Sequence, residues 1–177
     1  LRTFYGNPTS EYASQRLELT GIGQLLALSP LRELNVIACM HFRNEFGREN
    51  VYTIRHTSEN HKAEKHHVAD DLKGATLFTE RATYAKLASL IGEGAEVRVT
   101  RLTEEFTFEA FKKSKTRGTL LLFSISEDGD LRPFVAGREE TPESGSVLLS
   151  LVPADQSSKE VPVPETDTPP ESPSLPD

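Results

Sequence analysis

LALSPLRELNVIACMHFRNEFGRENVYTI, residues 26–54, decides how this chain is read. Its opening belongs to the apolar run GQLLALS (23–29). That run has strand length and no polar face, the pattern of a parallel strand covered on both sides. Pro30 punctuates it, and a helical period occupies 31–46. Leu34, Ala38, Phe42 and Phe46 recur four residues apart with Ile37 beside them, so one face is apolar. Gly47 comes directly after, where a helix end favours glycine. VYTIR (51–55) is the next β-branched run. Strand, helix and strand with short joins predict a right-handed crossover and a parallel sheet.

Working outward, TFYGN (3–7) predicts a short strand entering a turn, and Ser10 to Leu17 a helix. Gly21 and Gly23 precede a strand. A dinucleotide fingerprint needs its glycines after a strand and opening a helix, so this pair is a turn. Residues 57–78 are polar, rich in His and Lys and without a clean apolar period, as in a connector with a helical patch at 61–72. Tyr84, Leu87, Ala88 and Ile91 restore a helical period, which Gly92 and Gly94 end. AEVRVTRL (95–102) then alternates. Ala95, Val97 and Val99 share one face and Glu96, Arg98 and Thr100 the other, as in a half-buried strand. A short helix carries Phe108 and Phe111. Two β-rich runs flank the turn at Asp128 and Gly129, and Pro133 puts its strand at an edge. SVLLSLV (146–152) is the last strand.

These elements give an α/β expectation: a truncated Rossmann-like parallel sheet, then a small α+β unit, then a disordered acidic tail. The divisions fall at 1–56 for the back half of the Rossmann-like domain, 57–94 for the helical connector, 95–153 for the α+β domain with its hairpin, and 154–177 for the tail. The tail expectation rests on composition. From Val152 onward the chain holds seven of its eleven prolines and no aromatic residue, too little apolar surface to offset the entropy of ordering.

Net charge is −7, of which −5 falls in 154–177, leaving −2 over the rest. Lys and Arg do not cluster along one face, so a nucleic-acid footprint is not expected. The longest uncharged run is Leu19 to Leu31, broken by two glycines and a proline, whereas a membrane-crossing helix needs about 20 apolar residues. This piece of chain is therefore expected to be soluble. A single cysteine, Cys39, favours a reducing compartment. The chain starts at Leu1 and its only methionine is Met40, so a fragment is expected, with a phosphate-binding loop preceding Leu1.

Chemistry-bearing residues are weighed in turn. His41, His56, His61, His66 and His67 lack zinc-ligand spacing and a completing carboxylate pair, so no metal is expected. Cys39 lies between Ala38 and Met40 on an apolar helix. His41 points elsewhere, since positions two apart do not share a helix face, and burial is the expected role of the thiol. Glu104 and Glu105 are adjacent acids suited to a solvated helix start, and the phenylalanines around them to a core. No catalytic residue is expected.

The stretches Tyr5 to Glu11, Leu19 to Ser29, Glu33 to Asn35 and Phe46 to Ile54 together resemble a known family. They look like the later part of the cytosolic nucleotide-fold domain of Trk-type potassium uptake regulators, the regulator-of-K⁺-conductance family. The version fused behind the membrane domain of bacterial sodium:proton antiporters is the nearer likeness. There a strand ending in Gly-Asn precedes a helix, an Ala-Leu-Thr strand leads to an Asn helix, and Phe-Gly-Arg followed by Val-Tyr returns the chain to the sheet. Residues 102–152 resemble the next segment of those antiporters. Ser29 stands where that family often has Thr, and the glycine loop and acidic residue that hold the nucleotide have no counterpart here.

The resemblance implies a cytosolic regulatory domain of a monovalent cation (sodium or potassium):proton antiporter, not an enzyme. It would lie at the cytoplasmic side of the bacterial inner membrane. Its partners would be the membrane transport domain of the same polypeptide and a second copy in a homodimer, with any nucleotide bound only in the full-length protein. Ligand-binding candidates are Gly6, Asn7, Ser29 and Arg32, at the carboxyl ends of the two expected strands, the edge where open α/β sheets bind. The alternatives are a fragment of a nicotinamide-dependent oxidoreductase, with His41 and His56 as its only acid–base candidates, or a non-catalytic interaction domain.

Overall fold

The helix expected after Pro30 runs Arg32–Phe46 (α1) and sits between strands Leu25–Ala27 (β1) and Val51–Thr53 (β2). The structure, a computed structural model, describes residues 3, 5–11, 13, 19–56 and 74–154. Next come Ala75–Thr76 (β3), Tyr84–Gly92 (α2), Glu96–Arg101 (β4), Phe108–Ser114 (α3), Leu120–Ile125 (β5), Leu131–Pro133 (β6) and Val147–Val152 (β7). The fold is α/β with two sheets: a parallel one in the order β1-β2-β3 and an antiparallel one in the order β4-β7-β5-β6. Among the described residues no helix is long and apolar enough to cross a membrane.

In the parallel sheet Leu26 pairs with Tyr52 and Tyr52 with Ala75. One face packs against α1 through Ala27, Val51 and Cys39, with Leu25 and Phe46 at the margin. The buried side of α1 is Asn35, Ala38, Cys39 and Phe42. That stripe is rotated from the one expected, and Ile37 is 51% exposed. The rotation turns a polar side chain, Asn35, toward the strand ends, where it finds backbone partners. Gly47 ends α1 with φ +82°, a conformation that glycine takes without steric cost.

Two further expectations differ from the fold. Thr3 and Tyr5 to Asn7 are not in a strand. Asn7 instead closes a local turn, its Oδ1 accepting from the Thr9 N–H at 3.0 Å. Of the helix expected from Ser10, Glu11 and Ala13 are helical, and the rest lies outside the described residues, as do the helical patch at 61–72 and the tail from 155. The stretch expected as plain connector supplies β3, too short for any periodicity to reveal. Gly74 leads into it so closely over β2 that a Cβ there would lie 2.7 Å from the Val51 carbonyl oxygen.

In the antiparallel sheet β4 and β6 are the two edges, as Pro133 suggested for β6. The Ser126–Asp130 turn joins β5 to β6, with Gly129 at φ +89°. A bulge between Leu121 and Phe123 sends Leu121 to one face and both Leu122 and Phe123 to the other. On the first face α3 packs: Phe108 and Phe111 join Leu102, Phe134 and Leu148, with Phe106 and Leu121 alongside. Thr107 caps that helix, its hydroxyl accepting from the Ala110 N–H.

The second face meets the parallel sheet. Tyr52, Ile54, Leu77, Phe78, Ala82 and Val135 form one buried cluster, with Leu26, Ala75, Leu87, Leu120, Leu122 and Phe123 packed on it. Backbone continuity accompanies the packing. The Leu77 N–H donates to the Thr53 carbonyl at 2.9 Å, and the Ala136 N–H donates to the Thr76 carbonyl at 2.9 Å. The Phe78 N–H donates to the Phe134 carbonyl at 2.6 Å, and the Phe134 N–H to the Leu122 carbonyl at 3.0 Å. Residues 134–136 thus bond to both sheets in succession. Phe78 reaches this position with φ +66°, a left-handed conformation that bulky side chains rarely take, and its ring meets Phe123 edge-on at 5.8 Å.

One shared core predicts one unfolding event. Leu77, 0% exposed, truncated to Ala should cost about 2–5 kcal/mol and leave urea unfolding as a single transition by circular dichroism and by tyrosine fluorescence. Two separated transitions would show that the sheets fold apart. Gly74→Ala should cost about 1–3 kcal/mol in the same measurement, because the Val51 carbonyl must move.

Candidate functional site

Polar groups gather at both ends of the parallel sheet. At the carboxyl end, β1 gives way to Ser29 and β2 to Arg55 and His56. Asn35, only 2% exposed, reaches between them. Its Oδ1 accepts from the Ser29 N–H at 2.9 Å, and its Nδ2 donates to the Ser29 carbonyl at 2.9 Å. The second Nδ2 proton points at His56 Nε2, 3.2 Å away. The Ser29 hydroxyl accepts from the Leu31 N–H at 3.1 Å, satisfying a donor at the start of α1, where the cap residue Leu31 offers no side-chain acceptor. Beyond β2, the Arg55 guanidinium pairs with the Glu80 carboxylate and also donates to the Glu80 carbonyl. The carboxyl ends of β1 and β2 are therefore tied by one amide, and that of β2 is tied onward to the loop after β3.

Of the expected ligand residues, the structure brings Ser29 into this network and starts α1 with Arg32, half-buried and engaged within the chain. Gly6 and Asn7 lie in the exposed turn described above. Asn35 and His56 are the functional-type residues that periodicity did not single out as a pair. Besides the Asn helix of the resemblance, the signal for Asn35 was a polar side chain falling on the apolar stripe of α1.

At the amino end lies a cleft of about 500 Å³ between the parallel sheet and β6 with the loop after it. Gln24, Glu49, Asn50 and Tyr52 supply one wall, and Ser124, Arg132, Pro133, Arg138, Glu140, Thr141 and Pro142 the other. Gln24 Nε2 bridges the walls by donating to the Leu131 carbonyl at 3.1 Å. Tyr52 forms the floor. It is 6% exposed and lines the cleft from the core side. Burial pushes its phenol above the ordinary tyrosine value. Arg138 and Arg132 oppose that, while Glu140 and Glu49 add to it, so all four charges act on one hydroxyl. Arg138, Glu49 and Glu140 form no ion pair among the described residues, and Arg132 only a loose one with Asp130 at 3.9 Å.

Cys39 is buried beneath α1, and desolvation raises its thiol pKa while the Gly74 backbone partly lowers it. A protonated, enclosed thiol is a packing group, as its sequence position suggested. Glu104 and Glu105 are exposed ahead of α3. Among the described residues no three His, Cys, Asp or Glu side chains gather closely enough to hold a metal ion. His61, His66 and His67 lie outside those residues. No protein-family profile matches the chain, and neither a curated protein nor a solved structure matches it.

Asn35 offers a direct check on the carboxyl-end network. Asn35→Ala leaves both Ser29 backbone groups without their buried partner and should cost about 2–3 kcal/mol in urea unfolding. Asn35→Asp keeps only the acceptor half and should also destabilise, whereas a neutral effect would mean that water replaces the amide.

Proposed function

We infer that this chain is a non-catalytic regulatory module that takes a small charged ligand in the cleft floored by Tyr52. The observation that carries this reading is the convergence of Tyr52, two guanidinium groups and two carboxylates on one cleft. Paired guanidiniums suit a carboxylate by bidentate hydrogen bonding, and the carboxylates suit an ammonium group. A compact zwitterion of amino-acid type satisfies both, and the volume lies within the usual range of small-molecule sites. The walls come from different sheets, so a ligand that touches both biases their relative position. Differential affinity for two arrangements is all that regulation requires.

The module regulated, on this reading, is a monovalent cation:proton antiporter for sodium or potassium. The chain would form its cytosolic part at the inner membrane, with the membrane transport domain of the same polypeptide as its partner. Support comes from the resemblance of residues 5–54 and 102–152 to the regulator-of-K⁺-conductance region of such proteins. A β-α-β crossover with the Asn helix leaving the end of β1 agrees with a back half of a Rossmann-like domain.

Two measurements separate the parts of this reading. Titrating the chain with the standard amino acids, and with forms blocked at the amine or the carboxylate, should shift the amide resonances of Tyr52, Arg132 and Arg138. Blocked forms should bind more weakly, and Tyr52→Phe should weaken binding about tenfold. No shift from any of these probes would remove the ligand. The in-frame sequence upstream of the Leu1 codon tests the transporter. Several apolar spans of about 20 residues are expected there, and their absence would remove the antiporter while leaving ligand binding intact.

A further inference from the structure

Strand β4 reverses the polarity expected of it. Val97 is 58% and Val99 66% exposed, because the cluster that joins the two sheets reaches Leu120, Leu122 and Phe123 of β5 and stops short of β4. The other face of β4, with Arg98 and Thr100, lies on the side of α3, since Thr100 pairs with Leu148 of the α3 core. Helix α3 is too short to cover that side. Its seven residues span about 10 Å, against about 20 Å for the six-residue strands β4, β5 and β7. A pocket of about 140 Å³ remains alongside its last turn. Ser150 and Val152 of β7 line it on the sheet side, and Phe106 and Phe111 on the helix side.

One hydroxyl there has no partner and another has a poor one. Thr119 lines the pocket, on the α3 face by alternation from Leu121, and its Oγ1 is buried with no hydrogen-bond partner among the described residues. Ser150, 1% exposed, donates to the Arg98 carbonyl of the neighbouring strand at 3.5 Å, the far limit of such a bond. Buried hydroxyls in folded proteins are normally satisfied, so an orphan beside a pocket marks a group that an occupant completes. Arg98 and Lys115 are exposed and line the pocket, and neither forms an ion pair among the described residues. No carboxylate lines it.

We propose that this pocket binds a short 2-hydroxy- or 2-oxo-carboxylate of about six heavy atoms. A cavity of about 150 Å³ holds a body the size of benzene, which sets that number. The carboxylate meets the Arg98 guanidinium and the Lys115 ammonium, the carbon chain meets the two phenylalanine rings, and the second oxygen meets the Thr119 hydroxyl. That hydroxyl has no bond to lose, so rotation about the Cα–Cβ bond turns it to the occupant. The site shares no residue with the cleft floored by Tyr52 and does not rest on the reading of that cleft.

The test is a titration of the full chain with lactate and with pyruvate, read by its amide and methyl resonances. Saturable shifts at Phe111, Thr119 and Ser150 support the site. Propionate, which lacks the second oxygen, should bind about tenfold more weakly. Thr119→Val exchanges an unsatisfied hydroxyl for a methyl of similar size, so the variant folds. It should weaken lactate binding about tenfold and leave propionate binding unchanged. Arg98→Gln should weaken both about tenfold. No saturable shift from either acid overturns the proposal. So does lactate binding that either variant leaves unchanged, since it would lie elsewhere. Equal affinity for inorganic phosphate overturns it too, since the pocket would then take anions of any kind.

Discussion

The backbone ladder around Leu77 and Val135 is the constraint on which the rest of the fold depends. A parallel sheet of three short strands with one helix on it has only one face covered, and its other face, Leu26, Tyr52 and Ala75, is apolar. The antiparallel sheet fills that role, and residues 134–136 join the two sheets by hydrogen bonds as well as by packing. The bulge at Leu122 and the left-handed turn at Phe78 both serve this junction, one by turning two adjacent side chains into it and the other by bending the chain away after β3. A strained Phe conformation persists only where the surroundings hold it, and here the Phe134 carbonyl and the Phe123 ring do so.

The two polar ends of the parallel sheet differ in kind. At the carboxyl end each donor that can be traced meets an acceptor: the Asn35 amide is consumed by Ser29 and His56, and Arg55 by Glu80. At the amino end Arg132, Arg138, Glu49 and Glu140 line one cleft with Tyr52, and no ion pair among the described residues joins them to one another. A satisfied network rigidifies, and on the reading proposed above it is the open charges at the amino end that a ligand would meet. That contrast moves attention from the edge where open α/β sheets usually bind to the opposite one.

Local pattern accounts for the parts of the fold that the sequence disclosed. The crossover from β1 through α1 to β2 was legible because each element carries a full period and ends in Pro30 or Gly47, and the hairpin was legible from Asp128 and Gly129. Cys39 could be assigned to packing because its neighbours are apolar. The parts that escaped depend on partners distant in sequence. β3 has two residues, the exposure of Val97 depends on how far another sheet extends, and the Tyr52 cleft is assembled from four separate segments. Arg138 and Glu49 carry no local mark of belonging together, so no spacing rule could have joined them.

The junction also has a consequence for biosynthesis. Residues 25–53 can form their crossover as soon as they leave the ribosome, but the strands that cover its second face, β5 and β6, end at Ile125 and Pro133, and β7, which completes their sheet, ends at Val152. At about 5–20 residues per second, the nascent chain presents Leu26, Tyr52 and Ile54 uncovered for several seconds. During that interval the crossover is a surface for holdase chaperones, and a ribosome pause between β3 and β5 prolongs its exposure.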